Sequence, residues 1–248
     1  ISDAPEAKVQ SMGGMENYLP TQNFYVPGLS KADLVKNGLI TAADTNNIIN
    51  EMAFKFPKNV AYKDDLATMN IIASIAQDGW KRPIYFGGFL PNENYQGMDD
   101  YLRMEGVVYR LLPYRLTDSL KAMQQDMGSI DVAKSYDLFT KKYIWGNAER
   151  KDVYFDEKNR LMFAAYRMNV GRIATELAAQ GKKNEAIEVL NKVTNNISER
   201  SYFYDATAYY VAMAYYNCGD KANGRKLAMR IVKNCEDDIN FILSLDDT

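Results

Sequence analysis

Two stretches near the C-terminus, "AAQGKKNEAIEVLNKV" and "YYNCGDKANGRKLAMRIV", align with Gly181 on Gly219, and in each a small residue, Ala186 or Gly224, follows five positions later. A glycine can end a helix in the left-handed conformation and send the chain back. A small residue one turn on lets two helix backbones approach. Before Gly181, the apolar residues Met162, Tyr166, Val170, Ile173 and Leu177 recur with helical period; after it, Ala186, Leu190, Val193 and Ile197 do the same. The pattern predicts a helix from about Asn159 to Gln180 and a partner from Asn184. It predicts a second hairpin in which "DATAYYVAMAYYN" pairs with "KANGRKLAMRIVKNC". The hairpins fall at about 159–197 and 205–235, and their offset of 38 residues is near the ~34 of a tetratricopeptide unit. Two such units are too few for a free-standing solenoid, so they should dock on other parts of the fold.

Upstream the pattern is mixed. Residues 1–29 read as irregular or extended, since "MGGMENYLPTQNFYVPG" combines a glycine pair with prolines. Ser30 caps a short helix that Gly38 closes. Thr41 is expected to open a second, "TAADTNNIINEMAF", with Ile48, Ile49 and Met52 on one side. A third should run from Asp64 or Asp65 to Gln77 and bury Leu66, Met69, Ala73 and Ala76, with Gly79 as its stop. Pro83 then starts a strand, Ile84–Phe86, whose unbroken bulk suggests burial on both faces. A second strand is expected at Val107–Leu112, after a short helix "DYLRMEG", so that the pair forms a crossover. From about residue 118 the chain reads as helical, with Asp131 capping a helix whose stripe is Val132, Tyr136, Phe139 and Tyr143. The expected fold is α+β and mainly helical: a small α/β unit over 1–115, then a helical region over 116–248 carrying the tetratricopeptide-like hairpins.

Composition excludes several function classes. Thirty Lys+Arg against 32 Asp+Glu leave a net charge of −2, which gives no footprint for nucleic acid. No apolar run approaches the ~20 residues of a membrane helix, so no direct membrane insertion by this chain is expected. "ISDAPEAKVQ" has neither an initiator Met nor a signal-peptide pattern, which suggests a piece of something longer or a processed start. With no His, the commonest general base and metal ligand are missing. The cysteines, Cys218 and Cys235, fall at opposite ends of one hairpin, beyond the ~7 Å that a disulfide spans; both are expected to be free, buried thiols. No cofactor motif is present: the glycine pairs lack any Gly-Lys-Ser/Thr.

The candidate side chains each have two readings. Trp80, Lys81 and Arg82 precede the first strand in "QDGWKRPIYFGG" and form either a site for a sugar face or acidic group, or a strand entry with solvated cations. Asp99, Asp100 and Glu105, near Tyr101, are paired acids for glycoside chemistry or the two ends of a short helix. Asp156, Glu157 and Arg160 are a charged cluster or the N-terminus of the long helix, where acids favour the helix dipole. Trp145 is a binding aromatic or a helix-end anchor. The candidate binding surface is therefore Trp80, Arg82, Tyr101, Glu105, Trp145, Asp156 and Arg160, with no catalytic or metal residue assigned.

Taken together, "DLATMNIIASIAQDGWKRPIYFGG", "MDDYLRMEGVVYRLLPY", "YDLFTKKYIWGN" and the segment from Asp152 to Leu190 resemble the C-terminal soluble region of a membrane-protein family common in Bacteroidetes. Those proteins are similar to protein O-mannosyltransferases of the glycosyltransferase-C superfamily. The resemblance runs from about Asn23 to Ile197. It implies a noncatalytic periplasmic domain, tethered at the inner membrane, whose partners are the membrane half of the same polypeptide and an acceptor protein or peptide. Its role would be to recruit the acceptor or brace the membrane half. The resemblance carries no catalytic residue onto this chain, because the family's catalytic acid belongs to the membrane half. The other function classes are an independent helical-repeat adaptor and a soluble glycan-binding or glycan-active protein using Asp99, Glu105, Asp156 or Glu157.

Overall fold

The computed structural model describes residues 21–88, 92–117, 129–150 and 152–245. Expectations that fall on residues 1–20 and 118–128 lie outside these. The fold is α+β and mainly helical. It divides into two compact units, Ile1–Met104 with Val108–Ser129, and Glu105–Val107 with Ile130–Thr248.

In the first unit, β1 (Asn23–Val26) is followed by α1 (Lys31–Lys36), capped by Ser30, whose hydroxyl accepts from the Asp33 N–H. The helix expected from Thr41 is instead a single 3-10 turn, Ala42–Asn46, followed by β2 (Ile48–Ile49) and β3 (Met52–Lys55). The physical reason is period. Met52, Phe54 and Phe56 are buried while Ala53 and Lys55 are exposed, a two-residue alternation that a strand satisfies. β3 pairs antiparallel with β1, setting Phe24 opposite Phe54 with ring centroids 5.8 Å apart. β2 pairs with β7 (Arg115–Leu116) beside a small core of Leu34, Leu39, Ile48, Leu112 and Tyr114.

Helix α2 (Lys63–Gln77) forms as expected but is rotated: it buries Asp65, Ile72 and Ile75, whereas Ala73 is exposed. Gly79 ends it at φ +70°. The remaining strands, β4 (Ile84–Gly87), β5 (Leu102–Glu105), β6 (Val108–Leu111) and β8 (Ser129–Ile130), form one sheet in the order β4-β6-β5-β8. The crossover expectation fails, because β4 and β6 are antiparallel, with Phe86 opposite Tyr109. Tyr85 is 43% exposed, so β4 is buried on one face only. The short helix expected over "DYLRMEG" shrinks to a 3-10 turn, Asp99–Tyr101; Leu102–Glu105 is a strand and Gly106, at φ +70°, turns a hairpin.

In the second unit, α3 (Val132–Asp137) is capped by Asp131 and runs into a π-turn over Leu138–Lys142. Helices α4 (Glu157–Ala179) and α5 (Lys183–Asn196) form the first hairpin, α6 (Ala208–Cys218) and α7 (Lys221–Ser244) the second. Gly181 and Gly219 hold φ of +80° and +91° at the two turns. Ala186, Leu190, Val193 and Ile197 are fully buried as expected, but Met162 is 44% exposed and lies off the buried face. Two close approaches fix the packing. A Cβ on Gly171 would sit 2.7 Å from the backbone carbon of Tyr210, bringing α4 against α6; one on Gly224 would sit 3.0 Å from the Tyr216 ring. Cys218 is buried, but Cys235 is exposed, because α7 continues to Ser244 beyond the length of α6 and leaves that thiol in water.

Candidate functional site

The expected site residues serve mostly as structure. Trp80 is buried at the end of α2, and its indole Nε1 donates to the Pro27 carbonyl at 3.4 Å. Arg82 is exposed, and Lys81 pairs with Asp78 at 3.0 Å across exposed surface. Tyr101 is 3% exposed; its hydroxyl donates to the Ala53 carbonyl and accepts from the Ala53 N–H, both at 3.0 Å, pinning β3. The stretch Trp80–Phe86 is thus a strand entry within the first unit.

Glu105, Trp145, Asp156 and Arg160 belong to the second unit. Glu105 is 1% exposed and ion-paired with Lys134, which rises from α3. The hairpin tip beside it is held by the Ser135 hydroxyl, which accepts from Gly106 N–H at 2.8 Å, and by the Tyr143 hydroxyl, which accepts from Val107 N–H at 3.1 Å. Trp145 packs at tilted and edge-on angles among Phe139, Tyr143 and Tyr166, with its nearest ring centroid 5.8 Å away at Tyr166. Its Nε1 is buried and meets no hydrogen-bond partner among the described residues. Asp156 is the N-cap of α4, accepting from Asn159 N–H at 2.8 Å, and Arg160 lies exposed with its guanidinium 5.9 Å from the Tyr154 ring. Tyr143 links two of these neighbourhoods, the Gly106–Val107 turn and Trp145. No group of acids or thiols able to hold a metal occurs among the described residues.

The feature that does form a receptacle lies away from all of the expected site residues. A groove of about 590 Å³ runs along the second unit between α5 and α7, with the loop after α5 and Tyr215 of α6 contributing to its walls. That volume falls in the roughly 300–1,000 Å³ range of ligand sites. Helix α5 presents Asn191, Thr194 and Asn195; α7 presents Lys226, Arg230 and Lys233; Glu199 and Tyr204 come from the loop. The faces follow from periodicity. Val189, Leu190 and Val193 are spent on the core, so the residues between them turn outward.

The groove's loop is held by Arg167 of α4, a side chain only 1% exposed. Its Nη2 donates to the Tyr202 carbonyl at 2.6 Å and its Nη1 to the Phe203 carbonyl at 2.7 Å. The guanidinium also lies 4.4 Å from the Tyr204 ring centre and 5.2 Å from that of Tyr202. Burial pushes the Arg167 pKa down, while Tyr204 and Asp205 nearby pull it back up. From the other side, Asn234 Nδ2 donates to the Tyr204 carbonyl at 3.0 Å. Tyr204 is thereby fixed at the groove wall. Burial and a 2.5 Å hydrogen bond to Asp205 push Tyr202 up to about 12.

Several donors in the groove remain open. Asn191 accepts from the Tyr215 hydroxyl at 2.8 Å through Oδ1, which leaves its Nδ2 without a partner among the described residues. The Asn195 amide and the Lys226 ammonium likewise meet no partner there. Arg230 Nε donates to Glu199 at 2.5 Å, and Lys233 pairs with Asp237 at 2.7 Å. Such an array has the donors to bind and orient a polar ligand.

No curated protein and no solved structure matches the chain. The family model described as TMEM260-associated domain 2 matches residues 1–134, more than half of the 248. The match takes in all of the first unit, while the groove lies beyond it. The chain belongs to the TMEM260-associated domain 2 family.

Proposed function

We propose that this chain is a noncatalytic, periplasmic part of a membrane-bound glycosyltransferase of the protein O-mannosyltransferase type, of the kind common in Bacteroidetes, and that it recruits the acceptor protein. The observation that carries the reading is the family match, because TMEM260 is itself protein O-mannosyltransferase-like. The side chains support the noncatalytic half of it. Glu105 is buried and ion-paired with the half-exposed Lys134, and Asp156 is engaged as a helix cap, which supports reading both as structural. No helix among the described residues is long and apolar enough to cross a membrane, so the membrane half is assigned to other parts of the polypeptide. The groove of the second unit supports the recruiting role, as a surface along which an acceptor segment would lie.

The experiment is site-specific photo-crosslinking in the full-length protein in its own cell. A photoreactive residue at Asn195 should capture exported proteins that carry O-linked mannose, and one at the exposed Arg82 should not. Capture of membrane-protein fragments at both positions, without acceptor, would leave bracing of the membrane half as the role. A second reading, an independent peptide-binding adaptor, is favoured by one observation: the groove lies outside residues 1–134. It requires a short reading frame with its own export signal, which sequencing upstream of Ile1 decides.

A further inference from the structure

We propose that the groove takes an extended acidic peptide, whose backbone is read by Asn191 and Asn195 and whose carboxylates are met by Lys226, Arg230 and Lys233; this names the ligand of the recruiting role proposed above and rests on it. Asn191 and Asn195 both line the groove and stand four residues apart on α5. Four residues of helix rise about 6.0 Å. An extended chain advances about 6.6 Å per two residues. The two amides therefore meet peptide units of an extended strand at the same period. Asn195 offers a donor and an acceptor in one plane, which matches the N–H and C=O of a peptide unit, and Asn191, whose Oδ1 accepts from Tyr215, offers its Nδ2 to a peptide carbonyl.

The opposite wall repeats the spacing. Lys226 and Arg230 are also four residues apart, on α7, and Lys233 follows on the next turn of the same face. Alternate side chains of an extended peptide point the same way, so a ligand bearing an acid at every second residue presents its carboxylates at the spacing of these cations. The wall also has unspent charge. Against three cations the groove itself sets one carboxylate, Glu199, already engaged with Arg230. Lys226 has no ion-pair partner among the described residues. The Lys233–Asp237 pair is about half exposed on both sides and exchanges readily with another carboxylate. The row of cations on one wall and amides on the other distinguishes this ligand from a neutral sugar, which would leave the cations unanswered.

The test uses the full chain and fluorescence anisotropy with two labelled peptides, Thr-Glu-Thr-Glu-Thr-Glu-Thr and its Thr-Gln counterpart. The expected result is about tenfold tighter binding of the glutamate peptide at low salt, a preference that shrinks as salt is raised. Lys226→Glu, a change at an exposed position, should remove that preference, and Asn195→Ala should weaken both peptides about equally. A circular-dichroism melt of each variant confirms that it folds. Equal binding of the two peptides by the native chain, or an unchanged preference in Lys226→Glu, overturns the acidic-ligand inference and leaves the recruiting role standing. No binding of either peptide, with no shift of groove amide resonances, overturns both.

Discussion

Replacing Arg167 with alanine removes a side chain that ties α4 to the loop carrying Tyr204. Two charge-assisted hydrogen bonds are lost, to the carbonyls of Tyr202 and Phe203, each contributing about 1.5–3 kcal/mol. The contact with the Tyr204 ring contributes about 1 kcal/mol more. Against this stands the cost of burying a guanidinium, only partly relieved by the nearby Asp205, which offsets several kcal/mol. Truncation also has unequal consequences for the two carbonyls. Phe203 is half exposed, so water can replace the guanidinium there, whereas Tyr202 is buried and its carbonyl is left bare. The balance is a loss of about 3 kcal/mol, and so a fall in Tm on the order of 10 °C. Urea unfolding followed by far-UV circular dichroism measures it, with Arg160→Ala, an exposed position, as a control expected within about 0.5 kcal/mol of the native chain. Arg167→Met separates packing from hydrogen bonding: it refills most of the volume and supplies no donor. A loss below about 1 kcal/mol in Arg167→Ala, or full recovery in Arg167→Met, would refute the claim that the guanidinium's hydrogen bonds hold the loop.

Gly171→Ala should destabilise by about 1–3 kcal/mol despite the helix propensity of alanine, because its Cβ would meet the Tyr210 backbone at 2.7 Å; a stability equal to or above native in chemical denaturation would refute the close α4–α6 approach. For Asp65, burial alone would raise the carboxyl pKa, but hydrogen bonds from Gln96, Lys58 and the Tyr62 N–H outweigh it and hold the group below its usual range. Its contribution is present above pH ~4 and lost as pH falls through the depressed value, so Asp65→Asn should flatten the acid limb of a pH–stability curve that otherwise falls there. Tyr202, and Tyr136 through its hydrogen bond to Glu188, are both pushed up to about 12; the folded chain keeps protons that the unfolded chain releases from pH ~10, so stability should fall between about pH 10 and 12, and less in Tyr202→Phe. A thiol reagent should titrate one cysteine quickly, Cys235, and Cys218 only on unfolding, since burial pushes the Cys218 thiol up; two fast thiols would contradict the packing of α6 on α4.

How far the sequence could be read depended on whether a signal was local. Helix ends were legible because capping is chemistry within one turn: Ser30, Asp131 and Asp156 each accept from the N–H three residues on. The glycine turns at 181 and 219 were legible for the same reason. Errors fell where period had to be judged over a few residues. Met52 and Phe54 form two steps of a strand that a short window also fits to a helix, and Leu102–Glu105 likewise lost its strand character next to the 3-10 turn at Asp99. Whether β4 and β6 run parallel or antiparallel is decided by pairing across the sheet, which the sequence does not record locally.

The groove illustrates the harder limit. On α5 alone, Asn191 and Asn195 are what any solvated helix face might carry, and on α7 alone, Lys226, Arg230 and Lys233 are ordinary surface cations. Each face was defined only as the complement of a buried stripe. Their meaning arises when both hairpins bury those stripes together, which brings the two complements to opposite walls of one groove. Arg167 adds a second non-local condition: a buried arginine amid the apolar face of α4 breaks the helical pattern, and it makes sense only once the loop of Tyr202–Tyr204 arrives to accept its hydrogen bonds. A charged residue interrupting a buried stripe here marks the residue that positions the groove's loop rather than one that lines the groove.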